Sequence, residues 1–120
     1  MAILIETPTE IKACGTKEKI IQEFIGKVNS KTDEVSIAKM VSPQGWEEPG
    51  QSPIFDEYTI VLKGTLKIET TEKAFEVKSG QAFIAKQNEW VKYSTPYDGG
   101  AEYIAVCLPA FSPSTVNRDI

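Results

Sequence analysis

The sequence predicts an all-β protein in which two antiparallel sheets face each other. Two observations carry this prediction. Short runs of alternating apolar and polar residues recur along the chain, and turn-forming residues separate them near positions 64, 71, 80, 88 and 98. This spacing suits short strands joined by tight connections, and it does not suit strand–helix–strand units. We therefore expect a sandwich or barrel of antiparallel strands.

The first third of the chain contains three candidate strands. Residues 2–5 are apolar and predict a short first strand, whereas residues 7–10 predict a turn or a capped helix start. Residues 17–25 fit both a helix and a strand, and we favour a strand because the segment is short and Gly26 follows directly. Alternation over residues 34–41 predicts the next strand, after a polar loop.

The stretch from Gly45 to Gly64 begins with turn-forming residues and continues into a strand, 58–62, which we expect to end at Gly64. The segment 82–85 is expected to be a buried strand, and the tail after residue 108 is expected to be ordered. The later predicted strands share short runs bounded by turn residues: 66–69, 75–78, 82–85, 90–93 and 102–108.

The length and charge of the chain limit its class. Its 120 residues are enough for one hydrophobic core, and we expect a single domain over residues 1–120. Lysine and arginine number 13 against 17 aspartate and glutamate residues, which gives a net charge of −4. The charges are interspersed and form no basic stripe, so neither nucleic acid nor an anionic membrane surface is an expected partner.

Histidine is absent from the sequence. Its absence excludes a triad with a histidine base, a histidine-ligated zinc ion and a histidine pH switch. Any acid–base chemistry at neutral pH must therefore come from carboxyl groups, tyrosine, lysine or cysteine with shifted pKa values.

The two cysteines, Cys14 and Cys107, are far apart and form neither a zinc pattern nor a disulfide scaffold. Cys107 lies in an apolar run and is expected to be a buried structural thiol. The N-terminus has no basic flank and an early glutamate, unlike a signal peptide, and no run is long enough to span a membrane. We expect a cytoplasmic protein with reduced thiols.

The spacing of glycines and a glutamate in the first half of the chain follows a known motif. The residues are Gly45, then five residues to Gln51, one to Pro53, three to Glu57 and six to Gly64. This pattern resembles the first motif of the cupins, which has histidines at the second and third of these positions. Here Gln51 and Pro53 replace both histidines.

A second motif follows at the spacing found in the same family. Gly80 fits its start, while Lys86, Asn88, Val91 and Thr95 take the positions of proline, glycine, histidine and asparagine. Asn88 is a sensible replacement because asparagine tolerates the positive φ that glycine adopts. The chain therefore resembles a small single-domain cupin that lacks the metal-binding histidines, and the resemblance implies a jelly-roll barrel, also called a double-stranded β-helix.

The resemblance also implies a metal site and a dimer. Cupins commonly hold iron, manganese, zinc or nickel with three histidines and the glutamate, but only Glu57 carries over, and one carboxylate does not hold such a metal tightly. Gln51 and Glu48 could add oxygen ligands that suit Mg²⁺, Ca²⁺ or Mn²⁺. We expect a metal-free pocket with no cofactor, and a homodimer, for which the apolar segment 3–5 is the one hint in the sequence.

The candidate site residues follow from strand alternation around Glu57. Glu57 and Thr59 share one face of their strand, and in the family the glutamate points into the barrel. Tyr93 and Glu89 lie two residues either side of the lost histidine position and share its face. We predict Glu57 and Tyr93 as catalytic residues and Gln51, Glu89 and Thr59 as ligand-binding residues. A purely structural role for Glu57 and Tyr93 stays open.

The predicted function is a small cupin barrel that binds a small polar metabolite, as a metal-independent isomerase or lyase acting on a small sugar or organic acid. Such chemistry needs two differently tuned groups across one cavity. Two alternatives stay open. One is a non-catalytic module that senses or stores a small ligand, and the other is a metal-dependent cupin that uses oxygen ligands from Glu57, Glu48 and Gln51.

Overall fold

A computed structural model describes all residues from 1 to 120 and contains β-strands without any helix. Most of the predicted strands are present, which confirms the all-β class. The nine strands are β1 (Thr9–Ile11), β2 (Ile20–Ile25), β3 (Ser36–Ser42), β4 (Trp46–Glu47), β5 (Asp56–Thr70), β6 (Ala74–Lys78), β7 (Ala82–Ala85), β8 (Val91–Thr95) and β9 (Ala101–Leu108).

The strands form two antiparallel sheets that share the long strand β5. The first sheet has the order β1-β2-β3-β9-β5-β7 and uses the N-terminal half of β5. The second sheet has the order β6-β5-β8-β4 and uses the C-terminal half. Because one strand runs through both sheets, the two sheets face each other and enclose the core, as the predicted jelly-roll barrel requires.

The passage of β5 from one sheet to the other depends on Gly64. A β-bulge lies between Val61 and Lys63, and Gly64 follows with a φ of +74°. A Cβ atom at Gly64 would collide with the carbonyl oxygen of Gly100. The prediction that the strand ends at Gly64 is therefore wrong: glycine bends the strand here and does not end it.

The start of the chain also differs from the prediction. Residues 2–5 form no strand, and the side chains of Ile3 and Leu4 are 78% and 80% exposed. The edge of β2 that they could have joined is taken by β1, which lies at residues 9–11, where we predicted a turn or helix start. The ambiguous segment 17–25 contains β2, so the favoured strand interpretation is confirmed.

The strand β7 is not the buried strand that we predicted. It pairs only with β5 and lies at the edge of the first sheet, so Ile84 is 60% exposed while Ala85 is buried. The apolar run over residues 82–85 therefore belongs to a strand that has one side in solvent.

The core lies between the sheets and is apolar. Its largest fully buried side chains include Trp46, Leu66 and Ile68, and they contact buried residues of β6, β8 and β9. A smaller cluster joins Phe55 and Cys107 to Val116 of the C-terminal tail. This tail is ordered, as predicted, because it lies along residues 50–54 and is hydrogen-bonded to them.

Candidate active site

A cavity of about 80 Å³ lies between the first sheet, strand β8 and the C-terminal tail. It has room for several water molecules or one small polar group. Apolar side chains from β2, β3 and β9 form much of its wall. The titratable and amide side chains that line it are Lys12, Lys19, Glu23, Glu48, Gln51, Glu57, Tyr93, Tyr103, Cys107 and Arg118.

Glu57 enters the cavity from the start of β5. It pairs with Cys107 of β9 on one side and with Ala85 of β7 on the other. Because side chains alternate along a strand, Glu57 and Thr59 face inward while Ile60 faces out and is 52% exposed. The central position of β5 in the first sheet therefore fixes the backbone that carries this carboxyl group.

The environment of Glu57 favours its neutral form. Burial, and to a lesser degree the charge of Glu48, raise the pKa of Glu57 to about 7. The positive charge of Lys19 and the nearby Tyr93 hydroxyl oppose this rise. The hydroxyl makes no hydrogen bond of normal geometry. Glu57 can therefore be either protonated or ionised near neutral pH, which is what an acid or base in catalysis requires.

Glu48 is the second carboxyl group of the cavity, and it is 8% exposed. It follows β4, and its backbone N–H donates to the carbonyl of Tyr93 at 3.4 Å, which ties it to β8. Burial raises the pKa of Glu48, while the charges of Lys19 and Arg118 lower it. Two cations thus stabilise the ionised form of Glu48, whereas Lys19 alone does so for Glu57.

The third carboxyl group of the cavity wall, that of Glu23, has a structural role. Its Oε2 accepts hydrogen bonds from the backbone N–H groups of Val28 and Asn29, at 3.0 and 2.8 Å. These bonds fix the turn that follows β2. Glu23 therefore has its partners within the protein, unlike Glu48 and Glu57.

Besides Lys12, which is exposed, two partly buried cations reach the cavity from outside the sheets. Lys19 precedes β2, and its Nζ lies 4.0 Å from the ring centre of Trp46 and 5.2 Å from that of Tyr103. Arg118 comes from the C-terminal tail. All salt bridges with an N–O distance of at most 4.0 Å join other residues. Four charged groups of the cavity therefore form no salt bridge: Lys19, Glu48, Glu57 and Arg118.

Three buried side-chain atoms in the structure have no hydrogen-bond partner, and all three belong to residues of this cavity. They are Gln51 Oε1, the Tyr93 hydroxyl and Arg118 Nε. Buried polar atoms are nearly always paired, so an unpaired group indicates water, a ligand or a functional role. Their convergence on one cavity marks it as the candidate active site.

The structure brings together most of the predicted site residues. Glu57, Tyr93 and Gln51 line the same cavity, and Thr59 is buried on the inward face without lining it. The predicted position of Glu89 is wrong, because it is exposed on a separate outer groove. Strand β8 begins only at Val91, so strand alternation does not extend back to residue 89.

Lys19 and Arg118 were missed as site residues, and Glu48 was considered only as a metal ligand. Arg118 is the only arginine in the chain, which is the one sequence signal that could have drawn attention to it. The thiol of Cys107, by contrast, is buried as predicted, and burial raises its pKa, so it is no nucleophile at neutral pH.

The metal site of a cupin does not fit these residues. Gln51, Pro53 and Val91 stand at the three histidine positions, and two of them have no side-chain donor atom. Val91 is instead part of the apolar core. No group of three or more histidine, cysteine, aspartate or glutamate side chains is arranged to hold a metal ion.

Solved structures show that the fold is that of the cupins. A cupin-like protein from Thermotoga maritima matches with a TM-score of 0.72 and 15% identity, over 90% of this chain and 82% of that one. A predicted oxalate decarboxylase from the same organism matches with a TM-score of 0.72 and 18% identity, over 91% of this chain and 99% of that one. The polyketide cyclase RemF from Streptomyces resistomycificus matches with a TM-score of 0.72 and 17% identity, over 100% of this chain and 86% of that one. The expected cupin barrel without metal-binding histidines is confirmed.

Among curated proteins the chain is similar to Endoribonuclease YbeY of Myxococcus xanthus. The two are 37% identical over 101 residues, which is 84% of this chain and 34% of the relative. The chain therefore spans about a third of that relative's length. No family model matches the chain.

This relative corrects our functional prediction. Its name denotes an enzyme that cleaves RNA, and it overturns the prediction of a small-metabolite isomerase, lyase, sensor or oxygen-ligand metalloprotein. It also conflicts with the expectation that nucleic acid is not a partner. As for membranes, the structure offers no helix that could cross one.

Proposed function

We propose that this chain acts in RNA processing and that its cavity cleaves a phosphodiester bond of RNA by general acid–base catalysis. The observation that carries this proposal is the grouping of Glu48 and Glu57 with two partly buried cations, none of them in a salt bridge, around one cavity. Similarity to a protein named an endoribonuclease supports RNA as the substrate. Because the match spans only about a third of that relative's length, the proposal concerns only the part that the two share.

The two carboxyl groups take different roles because their surroundings differ. Burial raises the pKa of Glu48, but two cations, Lys19 and Arg118, oppose that rise and favour its ionised form, so we assign it the role of the base. Glu57 has a pKa of about 7 and keeps its proton up to neutral pH, so it acts as the acid. Since the two groups interact, the pair titrates as a unit with two apparent pKa values.

The reaction is an internal displacement at phosphorus. The ribose 2′-oxygen attacks the phosphorus atom and gives its proton to Glu48, while the bond from phosphorus to the 5′-oxygen breaks. Glu57 donates its proton to the departing 5′-oxygen. The products are a 2′,3′-cyclic phosphate end and a 5′-hydroxyl end, and no further reactant is required.

The cations and neutral polar groups complete the site. Lys19 and Arg118 stabilise the extra negative charge that builds up on the phosphate oxygens in the transition state. The Gln51 amide oxygen and the Tyr93 hydroxyl, both unpartnered, can bind ribose hydroxyls. A cavity of about 80 Å³ suits one phosphate and the hydroxyls beside it, so the bases stay outside.

Cleavage of a labelled single-stranded oligoribonucleotide tests this proposal. Glu48→Gln and Glu57→Gln should each lower the cleavage rate by roughly 10²–10⁴-fold, the usual contribution of a general acid or base. Glu47→Gln is the matched control, because Glu47 is an exposed neighbour that pairs with Lys92. The all-deoxy oligonucleotide should stay intact, since it has no 2′-hydroxyl. Equal rates for the wild type and both cavity variants would refute the proposal.

We also propose that the chain forms a homodimer through the outer face of its first sheet, within the cytoplasm. Support for the dimer comes from Ile60, Leu62 and Ile84 on that face, which are 52%, 45% and 60% exposed. Neighbouring apolar side chains of this size mark interaction surfaces. Light scattering on the wild type and on Ile84→Glu tests this, and a monomeric wild type would contradict it.

A further inference from the structure

The C-terminal tail holds the only arginine of the chain at the cavity. The backbone N–H of Ser52 donates to the carbonyl of Asn117 at 3.1 Å, and that of Asp119 donates to the carbonyl of Gly50 at 2.8 Å. These two bonds flank Arg118 on both sides. Arg118 therefore lies beside the loop that carries Gln51, in an antiparallel bridge with it.

Side chains anchor the same tail at two further points. The indole N–H of Trp90 donates to Asp119 Oδ2 at 2.9 Å, and the Trp90 ring lies so close to Gly50 that a Cβ there would collide with it. Val116 is 3% exposed and packs with Phe55. The tail is thus built into the wall of the cavity, and its arginine is held in place.

The guanidinium group has no partner that explains this anchoring. Its Nε is buried without a hydrogen bond, and it forms no ion pair, although Glu48 is near enough to feel its charge. Gln51, 4% exposed, has an unpaired acceptor oxygen in the same cavity, and Tyr93, also 4% exposed, has an unpaired hydroxyl. The planar guanidinium group of Arg118 offers several N–H donors, and Gln51 Oε1 is an acceptor in the same cavity. A ligand that satisfies both must carry an oxyanion and a hydroxyl group.

We infer that Arg118 is a phosphate-binding residue, which the C-terminal tail holds against the cavity together with Gln51 and Tyr93. Its guanidinium binds two oxygens of a phosphate group, the geometry that arginine prefers. Gln51 Oε1 accepts a hydrogen bond from the neighbouring ribose hydroxyl. A phosphorylated ribose supplies both partners, whereas a plain carboxylate supplies only the first. The inference rests on the proposed function only for RNA as the source of the phosphate.

Calorimetric titration with uridine 3′-monophosphate and uridine tests this inference without requiring cleavage. The wild type should bind the monophosphate at least about tenfold more tightly than uridine, because a charge-assisted contact of this kind is worth roughly a factor of ten or more. Arg118→Gln should remove that preference. Arg118→Lys keeps the charge and loses the fork, so it should retain only part of the preference.

Lys92→Gln is the control, since Lys92 is a cation outside the cavity that pairs with Glu47. It should bind as the wild type does. Unchanged monophosphate binding in Arg118→Gln, or equal wild-type affinity for uridine and its monophosphate, would overturn the inference.

The same experiments separate this inference from the proposed function. If phosphate binding depends on Arg118 but no variant or wild type cleaves RNA, the inference stands and the proposed cleavage fails. If Arg118→Gln cleaves RNA at the wild-type rate, the inference fails while the acid–base proposal stands.

Discussion

The apolar core and the polar cavity lie side by side between the sheets, yet they differ in how completely their groups are paired. Two tyrosines that contribute to both regions make the contrast concrete. The hydroxyl of Tyr103 forms a hydrogen bond of 2.9 Å with Ser42 Oγ, whereas the hydroxyl of Tyr93 has no partner. Tyr103 thus has a hydrogen-bond partner within the protein. The cavity instead contains buried polar groups without partners, and this lowers the stability of the folded state. Such unpaired buried groups are characteristic of functional sites.

The largest expected effect on stability comes from a substitution in the apolar core. Leu66 is fully buried in the core cluster. Leu66→Ala should lower the free energy of unfolding by about 2–5 kcal/mol, because it removes apolar contacts and leaves a cavity. Urea unfolding measures this directly. A loss below about 1 kcal/mol would mean that the core is loosely packed around residue 66.

In the cavity, Glu57 should make the free energy of unfolding depend on pH. Its pKa is raised in the folded protein from an ordinary 4.5 to about 7, so the folded state holds this proton more tightly than the unfolded state. The stability from this group is therefore greatest below its ordinary pKa and is lost as the pH rises through the folded value. The loss is of order 3 kcal/mol by the linkage relation.

Glu57→Gln removes this dependence, since glutamine cannot ionise. We expect the variant to be more stable than the wild type at pH 8, and the difference should shrink towards pH 5. Glu48 still titrates in the variant, so a smaller decline in the same direction remains. Urea unfolding of both proteins across this range provides the measurement. Parallel pH profiles for the two would show that Glu57 is ionised freely in the folded protein.

The smallest effect distinguishes the two tyrosines. Tyr93→Phe removes an unpaired hydroxyl and should change stability by less than about 0.5 kcal/mol, or raise it. Tyr103→Phe leaves Ser42 without its partner and should cost about 1–3 kcal/mol. Thermal unfolding of the two variants makes a matched comparison. Equal losses would show that the Tyr93 hydroxyl is paired in solution.

The sequence predicted most of the fold because its signals are local. Strand alternation and turn residues identified most of the strands, and the resemblance of Gly45, Glu57 and Gly64 to the first cupin motif implied that the glutamate points into the barrel. The errors arose where local signals have two outcomes. Gly64 could end a strand or bend it, and the contact with Gly100, distant in sequence, decides for the bend.

The candidate site was only half predictable for the same reason. Glu57, Gln51 and Tyr93 follow from motif spacing, whereas Lys19 and Arg118 reach the cavity from a loop and from the tail. Nothing local in the sequence shows that the tail returns to residues 50–54. Glu89 was misplaced because alternation was extended beyond the true start of β8.

Analysis of RNA product ends tests the central proposal most directly. Mass spectrometry of a cleaved oligoribonucleotide should reveal 2′,3′-cyclic phosphate and 5′-hydroxyl ends with the wild type. These ends should disappear with Glu48→Gln and persist with the control Glu47→Gln. An intact oligonucleotide, or ends that carry a 5′-phosphate and a 3′-hydroxyl, would contradict acid–base cleavage by Glu48 and Glu57.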